Sequence, residues 1–135
     1  MIRPFDASKG LITALYMKEV TDPQWKNDKG FLDWVAWMKK YYPEGALDDQ
    51  ANAYAYNVAM LMTHVLKQCG NDLSRENIMR QAANIKDLEL PLLIPGIKIN
   101  TSPTDFAPIE QEQLARFDGE KWAEFGEIFD AFRKQ

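Results

Sequence analysis

Few side chains in this 135-residue chain have both the type and the spacing that bond chemistry needs. Glu110 and Glu112 alternate along one segment, so on a strand they would share a face and could act as an acid–base pair. Such a pair needs surroundings that separate the two pKa values, and the neighbouring sequence suggests none. His64 has no ligating residue three or four positions away, and Cys69 is the single cysteine, which excludes a disulfide framework or a cysteine-based metal site. We therefore expect no metal and no cofactor.

Two other pairs that could carry chemistry have simpler structural explanations. Asp48 and Asp49 could suggest a cation site, but they stand directly before a long apolar segment, where aspartate is a common helix N-cap. Trp34 and Trp37 could form an aromatic box, although at helical spacing one core and one surface residue is the ordinary outcome. The sequence also has no glycine-rich phosphate loop and no nucleophile elbow. We therefore predict that the chain is not an enzyme.

The composition is that of a globular protein, with 46% hydrophobic residues and a length suited to one domain. The net charge is −4 and the longest basic run is Lys39-Lys40, so we expect no binding to nucleic acid, which requires clustered Lys and Arg. No apolar run approaches the roughly 20 residues that span a bilayer. The first five residues are not followed by the apolar stretch of a signal peptide.

The first two thirds of the chain predict one strand and three helices that would position any site. Alternating apolar residues over 11–18 indicate a strand that is covered on both faces. An apolar stripe over residues 30–42 predicts a helix with Asp28 as its N-cap. Asp48 or Asp49 then caps a helix that extends to about Cys69 and is apolar nearly all round, and Ser74 begins a shorter helix.

The last third begins with a proline-containing apolar run, Leu90-Pro91-Leu92-Leu93-Ile94-Pro95-Gly96-Ile97. Neither proline can donate a backbone hydrogen bond, so this run predicts a stiff crossing segment between packed bodies and not a central strand. We predict a short strand over 97–100 and a hairpin at Asp118-Gly119 that joins strands over 109–117 and 121–125. A final amphipathic helical turn would carry Ile128, Phe129 and Phe132.

The long apolar helix needs more cover than these few strands supply. If six large apolar side chains stayed in water, the cost would be on the order of 10 kcal/mol, comparable with the stability of a whole domain. We therefore expect the chain to be a piece of a larger protein, or to associate with another chain as a homo-oligomer.

Segments along nearly the whole chain resemble one family, the periplasmic substrate-binding proteins of branched-chain amino acid (leucine/isoleucine/valine) ABC transporters. In order, the segments that carry this resemblance are Gly10-Leu11-Ile12-Thr13-Ala14 with Tyr16 and Lys18, Thr21-Asp22-Pro23-Gln24-Trp25, Met38-Lys39-Lys40-Tyr41-Tyr42-Pro43, Tyr54-Ala55-Tyr56, Leu73-Ser74-Arg75-Glu76-Asn77-Ile78-Met79, the proline-containing run, Thr101-Ser102-Pro103-Thr104-Asp105 and Arg116-Phe117-Asp118-Gly119.

This resemblance implies an α/β fold, namely a helix-rich C-terminal fragment of a two-lobed type I periplasmic binding protein with few short strands. Residues from about 10 to 90 would supply a strand and helices of the first lobe, about 91 to 108 a crossing between lobes, and about 109 to 135 a hairpin and C-terminal helix of the second lobe. It also implies a periplasmic location, a signal peptide in the parent protein and an ABC permease as partner.

The resemblance also places the start of the long helix at the ligand cleft, so it implies that Asn52 and Tyr54 contact an amino acid or a related small carboxylate. A helix N-terminus offers free N–H groups to a carboxylate, and tyrosine offers a flat face and a hydroxyl. The alternative is that Tyr54 and Tyr56 are core aromatics, and Tyr56 in particular has the position of a packing residue. The alternative function is a truncated, oligomerising chain that binds no small molecule.

Overall fold

The computed structural model describes residues 6–131, which form a mixed α/β structure. The elements in chain order are strand β1 (Ile12–Leu15), helices α1 (Lys29–Tyr41), α2 (Gln50–Gln68) and α3 (Arg75–Ala82), and strands β2 (Gln111–Phe117) and β3 (Trp122–Asp130). Short 3-10 turns at Asp6–Ser8 and Pro23–Trp25 precede β1 and α1. None of the helices within residues 6–131 is long and apolar enough to cross a membrane.

All three predicted helices begin at their predicted caps. The Asp28 carboxylate accepts from the N–H of Phe31 at 2.9 Å, the Asp49 carboxylate from Ala51 at 2.9 Å, and the Ser74 hydroxyl from Asn77 at 3.3 Å. Each cap satisfies one of the N–H groups that the first helical turn leaves without an intrahelical partner.

The three strands form one antiparallel sheet in the order β1-β2-β3. The predicted hairpin at Asp118-Gly119 is confirmed: the Asp118 carboxylate accepts from the N–H groups of Glu120 and Lys121 at 2.8 and 2.9 Å, and Gly119 has a φ of +108°. The predicted helical turn after the hairpin is wrong within the described residues, because β3 continues to Asp130. Phe132 lies outside them.

Two predicted strands are shorter than expected. Among the described residues, the predicted strand over 97–100 is reduced to a single bridge between Ile99 and Leu88. The strand predicted over 11–18 ends at Leu15, and it is not covered on both faces, since Ile12 is 54% exposed.

The core forms around the proline segment (residues 90–97), which lies against α1, α2 and the residues that follow β1. Leu92 and Ile97 are at most 1% exposed, and Trp34 of α1 is completely buried beside them. Gly30 allows the close approach of α1, because a Cβ at this position would lie 2.3 Å from the carbonyl oxygen of Pro91. Trp37 is 41% exposed, so the predicted division of Trp34 and Trp37 into core and surface is confirmed.

The segment has no ladder of its own, as its prolines predict. Pro95 and Gly96 occupy the middle of a turn in which the N–H of Ile97 donates to the carbonyl of Ile94 at 3.0 Å, with Gly96 at a φ of +97°. Proline followed by glycine is the sequence that a type II turn requires. Within residues 6–131 its strand-type pairing is a single β-bridge, from Leu93 to Met17.

Helix α2 is less covered than its sequence predicts. Only Ala53, Asn57 and Val65 are buried along its 19 residues. Large apolar side chains elsewhere on the helix are exposed in part, and these are Tyr54, Val58, Met60, Met62 and Leu66. The helix is therefore buried on one narrow face and open to solvent on others.

Candidate functional site

A cleft of about 390 Å³ lies where the chain leaves β1 and passes the N-terminus of α2. Its lining residues are Ala14, Leu15, Tyr16, Met17, Glu19, Gln50, Ala51 and Tyr54. The wall is mostly apolar, and the side chains of Glu19, Gln50, Tyr16 and Tyr54 supply its polar groups. An apolar hollow with a few convergent polar groups is the usual form of a small-molecule site.

Gln50 fixes the shape of this cleft by joining its two sides. The Gln50 side-chain amide donates to the carbonyl of Lys18 at 3.0 Å, and its oxygen accepts from the N–H of Val20 at 3.2 Å. Both polar atoms of the amide are therefore occupied, and the segment after β1 is attached to the first turn of α2. Sequence analysis missed Gln50, because nothing local distinguishes it from another polar residue in a first helical turn.

The other side of the same segment is held by a buried lysine. Lys18 is 5% exposed, and its ammonium donates to the Asp28 carboxylate at 2.7 Å and to the Pro91 carbonyl at 2.8 Å, with the Trp25 ring 5.3 Å away. Partial burial alone would raise the pKa of Asp28, but the hydrogen bonds from Lys18 and the N–H of Phe31 outweigh it and lower that pKa. This ion pair joins the cleft segment, α1 and the proline segment.

Tyr54 lies in the cleft wall, as a ligand contact would require. It is 52% exposed, so it is not the core aromatic that the alternative interpretation described. No hydrogen bond to its hydroxyl is formed by any residue that the structure describes. Tyr56, two positions further on, is half-buried with its ring 5.4 Å from that of Trp37, in agreement with the packing role predicted for it.

Asn52 has a different position. Its side-chain amide donates to the carbonyl of Ala46 at 2.9 Å, which braces the loop before α2, and it does not line the cleft. Two residues correspond to about 200° of rotation around a helix, so Asn52 and Tyr54 project in nearly opposite directions. The structure therefore does not bring the two predicted contacts together in this cleft.

The electrostatics of the cleft favour a cationic group over an anionic one. The Asp49 carboxylate already accepts from the N–H of Ala51, and its negative charge offsets the positive potential of the α2 N-terminus. Glu19 is the one carboxylate among the lining residues, and it accepts from the Thr21 hydroxyl at 3.2 Å. A ligand carboxylate would meet the negative charge of Glu19 here, whereas an ammonium group would meet an acceptor.

The remaining candidates from the sequence do not form a second site. Cys69 is buried at the end of α2 and His64 is half-buried, and within residues 6–131 no group of three or more His, Cys, Asp or Glu side chains could hold a metal ion. Burial, together with Asp105 and Asp130, raises the pKa of Glu110. The acidic neighbours that contribute to this shift are Asp105 and Asp130 and not Glu112, so the structure adds no support for an acid–base pair of Glu110 and Glu112, for which the sequence also gave none.

Of three comparisons with known proteins, the one with solved structures found a similar protein. No family model and no curated protein matches the chain. Its structure is similar to the crystal structure of a branched chain amino acid ABC transporter from Thermus thermophilus with bound valine, with a TM-score of 0.72 and 14% sequence identity. The similarity covers 94% of this chain but 35% of that chain. This chain therefore has the fold of part of a branched-chain amino acid ABC transporter binding protein, which confirms the predicted α/β fold class.

Proposed function

We propose that this chain supplies one wall of a solute-binding site in an ABC transporter system, with amino acids or related small carboxylates as its ligands. The observation that carries the proposal is the coincidence of two features. The fold is similar to part of a transporter structure that holds valine, and the cleft beside α2 has the size and lining of a small-molecule site.

The chemistry of the wall favours recognition of the amine and the side chain of an amino acid. Glu19 would accept from the ammonium group, and the ring of Tyr54 with the neighbouring Leu15 would contact an apolar side chain. The charges of Asp49 and Glu19 would direct the ligand carboxylate away from α2. Its partners would then belong to the opposite wall of a two-lobed site.

The proposed mechanism is a population shift without bond chemistry. Ligand that contacts both walls favours the closed arrangement over the open one, and an ABC permease would recognise the closed arrangement. In this proposal residues from about 10 to 90 and from about 109 to 135 belong to different lobes, except that β1 pairs with β2 in the sheet of the second lobe. The proline segment begins the crossing between the lobes. The proposed location is the periplasm, where such receptors collect their ligands.

Amide chemical-shift titration of the chain with valine, leucine and phenylalanine tests the binding proposal. We expect saturable shifts at residues 15–19 and 50–54, and at least tenfold weaker binding after Tyr54→Ala, since the ring forms much of the apolar wall. The control variant is Tyr41→Ala, which removes a tyrosine of similar exposure (62%) from the end of α1, outside the cleft.

Two valine analogues distinguish the groups that the wall recognises. Valinamide keeps the ammonium group and lacks the carboxylate, whereas isovalerate lacks the ammonium group, so we expect valinamide to bind like valine and isovalerate to bind much more weakly. Glu19→Gln should abolish that preference. Asn52→Ala tests the predicted contact of Asn52 in the same titration. The absence of saturable shifts with every ligand, or shifts that Tyr54→Ala leaves unchanged, would contradict the proposal.

The exposed apolar face of α2 favours a second candidate function, self-association without any small-molecule ligand. The two candidate functions can be tested separately. The titration above measures solute binding and does not require an oligomer, whereas light scattering measures self-association and does not require a ligand.

A further inference from the structure

We propose that a second copy of this chain docks on an apolar groove between α2 and α3, in an isologous dimer that forms independently of solute binding. The α2–α3 groove has a volume of about 330 Å³. It is lined by Val58, Leu61, Met62, Val65, Ile78, Met79, Ala82, Ala83, Ile85, Thr101, Phe106 and Pro108. The groove lies further along the same face of α2 than the cleft, and the two have no lining residue in common.

The groove offers nothing that would select a charged or strongly polar partner. None of its lining side chains is charged. Its one hydroxyl, that of Thr101, is already used, because it accepts from the N–H of Ile85 at 2.9 Å and donates to the carbonyl of Ala82 at 2.7 Å. A partner must therefore present apolar side chains, and it needs no complementary charges to do so.

The exposed apolar area is close to what one half of a dimer interface contains. Four lining side chains and Leu66, one helical turn after Met62, are each between 39% and 66% exposed, and the four are Val58, Met62, Met79 and Phe106. Together they leave roughly 500 Å² of apolar surface in water, near the upper end for the largest patch on a monomer. A standard interface buries about 800 Å² on each partner, of which somewhat more than half is apolar.

The face also carries a projection that can fill the groove of a second copy. Phe106 is the most exposed large apolar residue of the described chain, at 66%, and it stands at the groove rim. Its loop is ordered by paired backbone bonds between Ser102 and Asp105 and by the Asp105 carboxylate, which accepts from the N–H of Ala107 at 3.0 Å. A knob and a groove on one face are self-complementary, which is what a two-fold interface requires.

Sedimentation velocity without added ligand tests this inference, at loading concentrations from about 1 to 200 µM so that mass action is visible. We expect the 15.6 kDa chain to form a dimer at the upper end. Phe106→Ser and Met62→Lys should each give a monomer throughout, and Tyr41→Ser, at an equally exposed aromatic on α1, should leave the dimer unchanged. Added salt should strengthen the dimer, because each copy has a net charge of −4.

Circular dichroism of each variant shows whether it is folded, and Met79→Lys replaces any variant that is not. A monomer at all concentrations would overturn the inference and leave the groove to a different occupant, such as another protein chain or an apolar small molecule. A dimer that persists in both Phe106→Ser and Met62→Lys would overturn it as well, because association would then use another face. Loss of amino acid binding would not affect either result.

Discussion

The proline segment and the α2–α3 groove contain similar apolar side chains, but those of the segment are buried and several of those in the groove are exposed. Leu92, Ile94 and Ile97 are each at most 2% exposed, whereas Val58 and Met62 are 46% and 51% exposed. The difference lies in the backbone. A helix satisfies its own N–H and C=O groups, so α2 can remain at the surface with apolar side chains in water, whereas an irregular segment that is buried must find partners elsewhere in the molecule.

The proline segment finds those partners on two sides. The N–H of Leu92 donates to the Asn57 side chain of α2 at 3.2 Å, and its carbonyl accepts from the N–H of Lys18 at 2.9 Å. The N–H of Ile94 donates to the carbonyl of Tyr16 at 3.0 Å, and the Pro91 carbonyl accepts from the Lys18 ammonium group. Burial in this molecule therefore follows from the supply of polar partners as much as from hydropathy.

The largest expected effect is a contrast between two alanine substitutions. Leu92→Ala should lower the free energy of unfolding by about 3–4 kcal/mol, since it opens a cavity in a well-packed core. Met62→Ala in the groove should change it by no more than about 0.5 kcal/mol when the protein is monomeric. Urea denaturation at a concentration below that of association measures both values. Similar losses for the two variants would contradict the comparison.

The next effect concerns the ion pair of Lys18 and Asp28, which contacts the proline segment at the Pro91 carbonyl. Asp28→Ala should lower the free energy of unfolding by about 3 kcal/mol, because it leaves the Lys18 ammonium group buried without a carboxylate partner and removes the cap of α1. Asp33→Ala is the matched control: its pair with Lys29 is exposed, so its loss should cost less than about 1 kcal/mol. Equal losses of unfolding free energy in Asp28→Ala and Asp33→Ala would show that the burial of Lys18 does not determine the cost of removing its partner.

The same pair predicts a dependence on pH. The pKa of Asp28 in the folded chain lies below its ordinary value of 3.8, so folding favours the ionised form. The stabilisation is complete above pH 3.8 and is lost as the pH falls through the folded pKa. The gap in stability between the natural chain and Asp28→Ala should therefore be constant at neutral pH and narrow below about pH 4, in urea titrations at each pH.

Local signals predicted the helices because helix caps depend on residues two or three positions apart. Asp28, Asp49 and Ser74 each cap a neighbouring N–H, so each could be identified without knowledge of the tertiary structure. Strand lengths depend on distant partners. β3 continues to Asp130 because β2 offers pairs as far as Gln111, whereas residues 97–100 form a single bridge, from Ile99 to Leu88, among the described residues.

The candidate site was predictable only in part for the same reason. Tyr54 could be proposed from its position in the first turns of α2, and its contact with a ligand stays a prediction. Gln50 and Glu19 could not be proposed, because their roles arise where the segment after β1 passes α2, about 30 residues later in the chain. The exposure of the groove was not predictable either, since the same apolar pattern indicates a central helix whenever enough structure surrounds it.

The smallest expected effect concerns α2, which has one side against the proline segment and another side exposed to solvent. Asn57 is buried on the side of α2 that meets the proline segment, where its oxygen accepts from Leu92 and its side-chain N–H₂ group finds no partner among residues 6–131. Asn57→Ala should cost about 1–2 kcal/mol, because the N–H of Leu92 is left buried without an acceptor.

Thr63→Ala is the control for Asn57→Ala, because the Thr63 hydroxyl bonds to the carbonyl of Ala59 on the exposed side of α2 and its loss should cost almost nothing. Hydrogen exchange gives the decisive readout. Asn57→Ala should accelerate exchange at Leu92 more than at the α2 amides, which keep their intrahelical acceptors. Uniform acceleration across both would mean that the segment and the helix open together, and that the side-chain acceptor on α2 is not what keeps the proline segment buried.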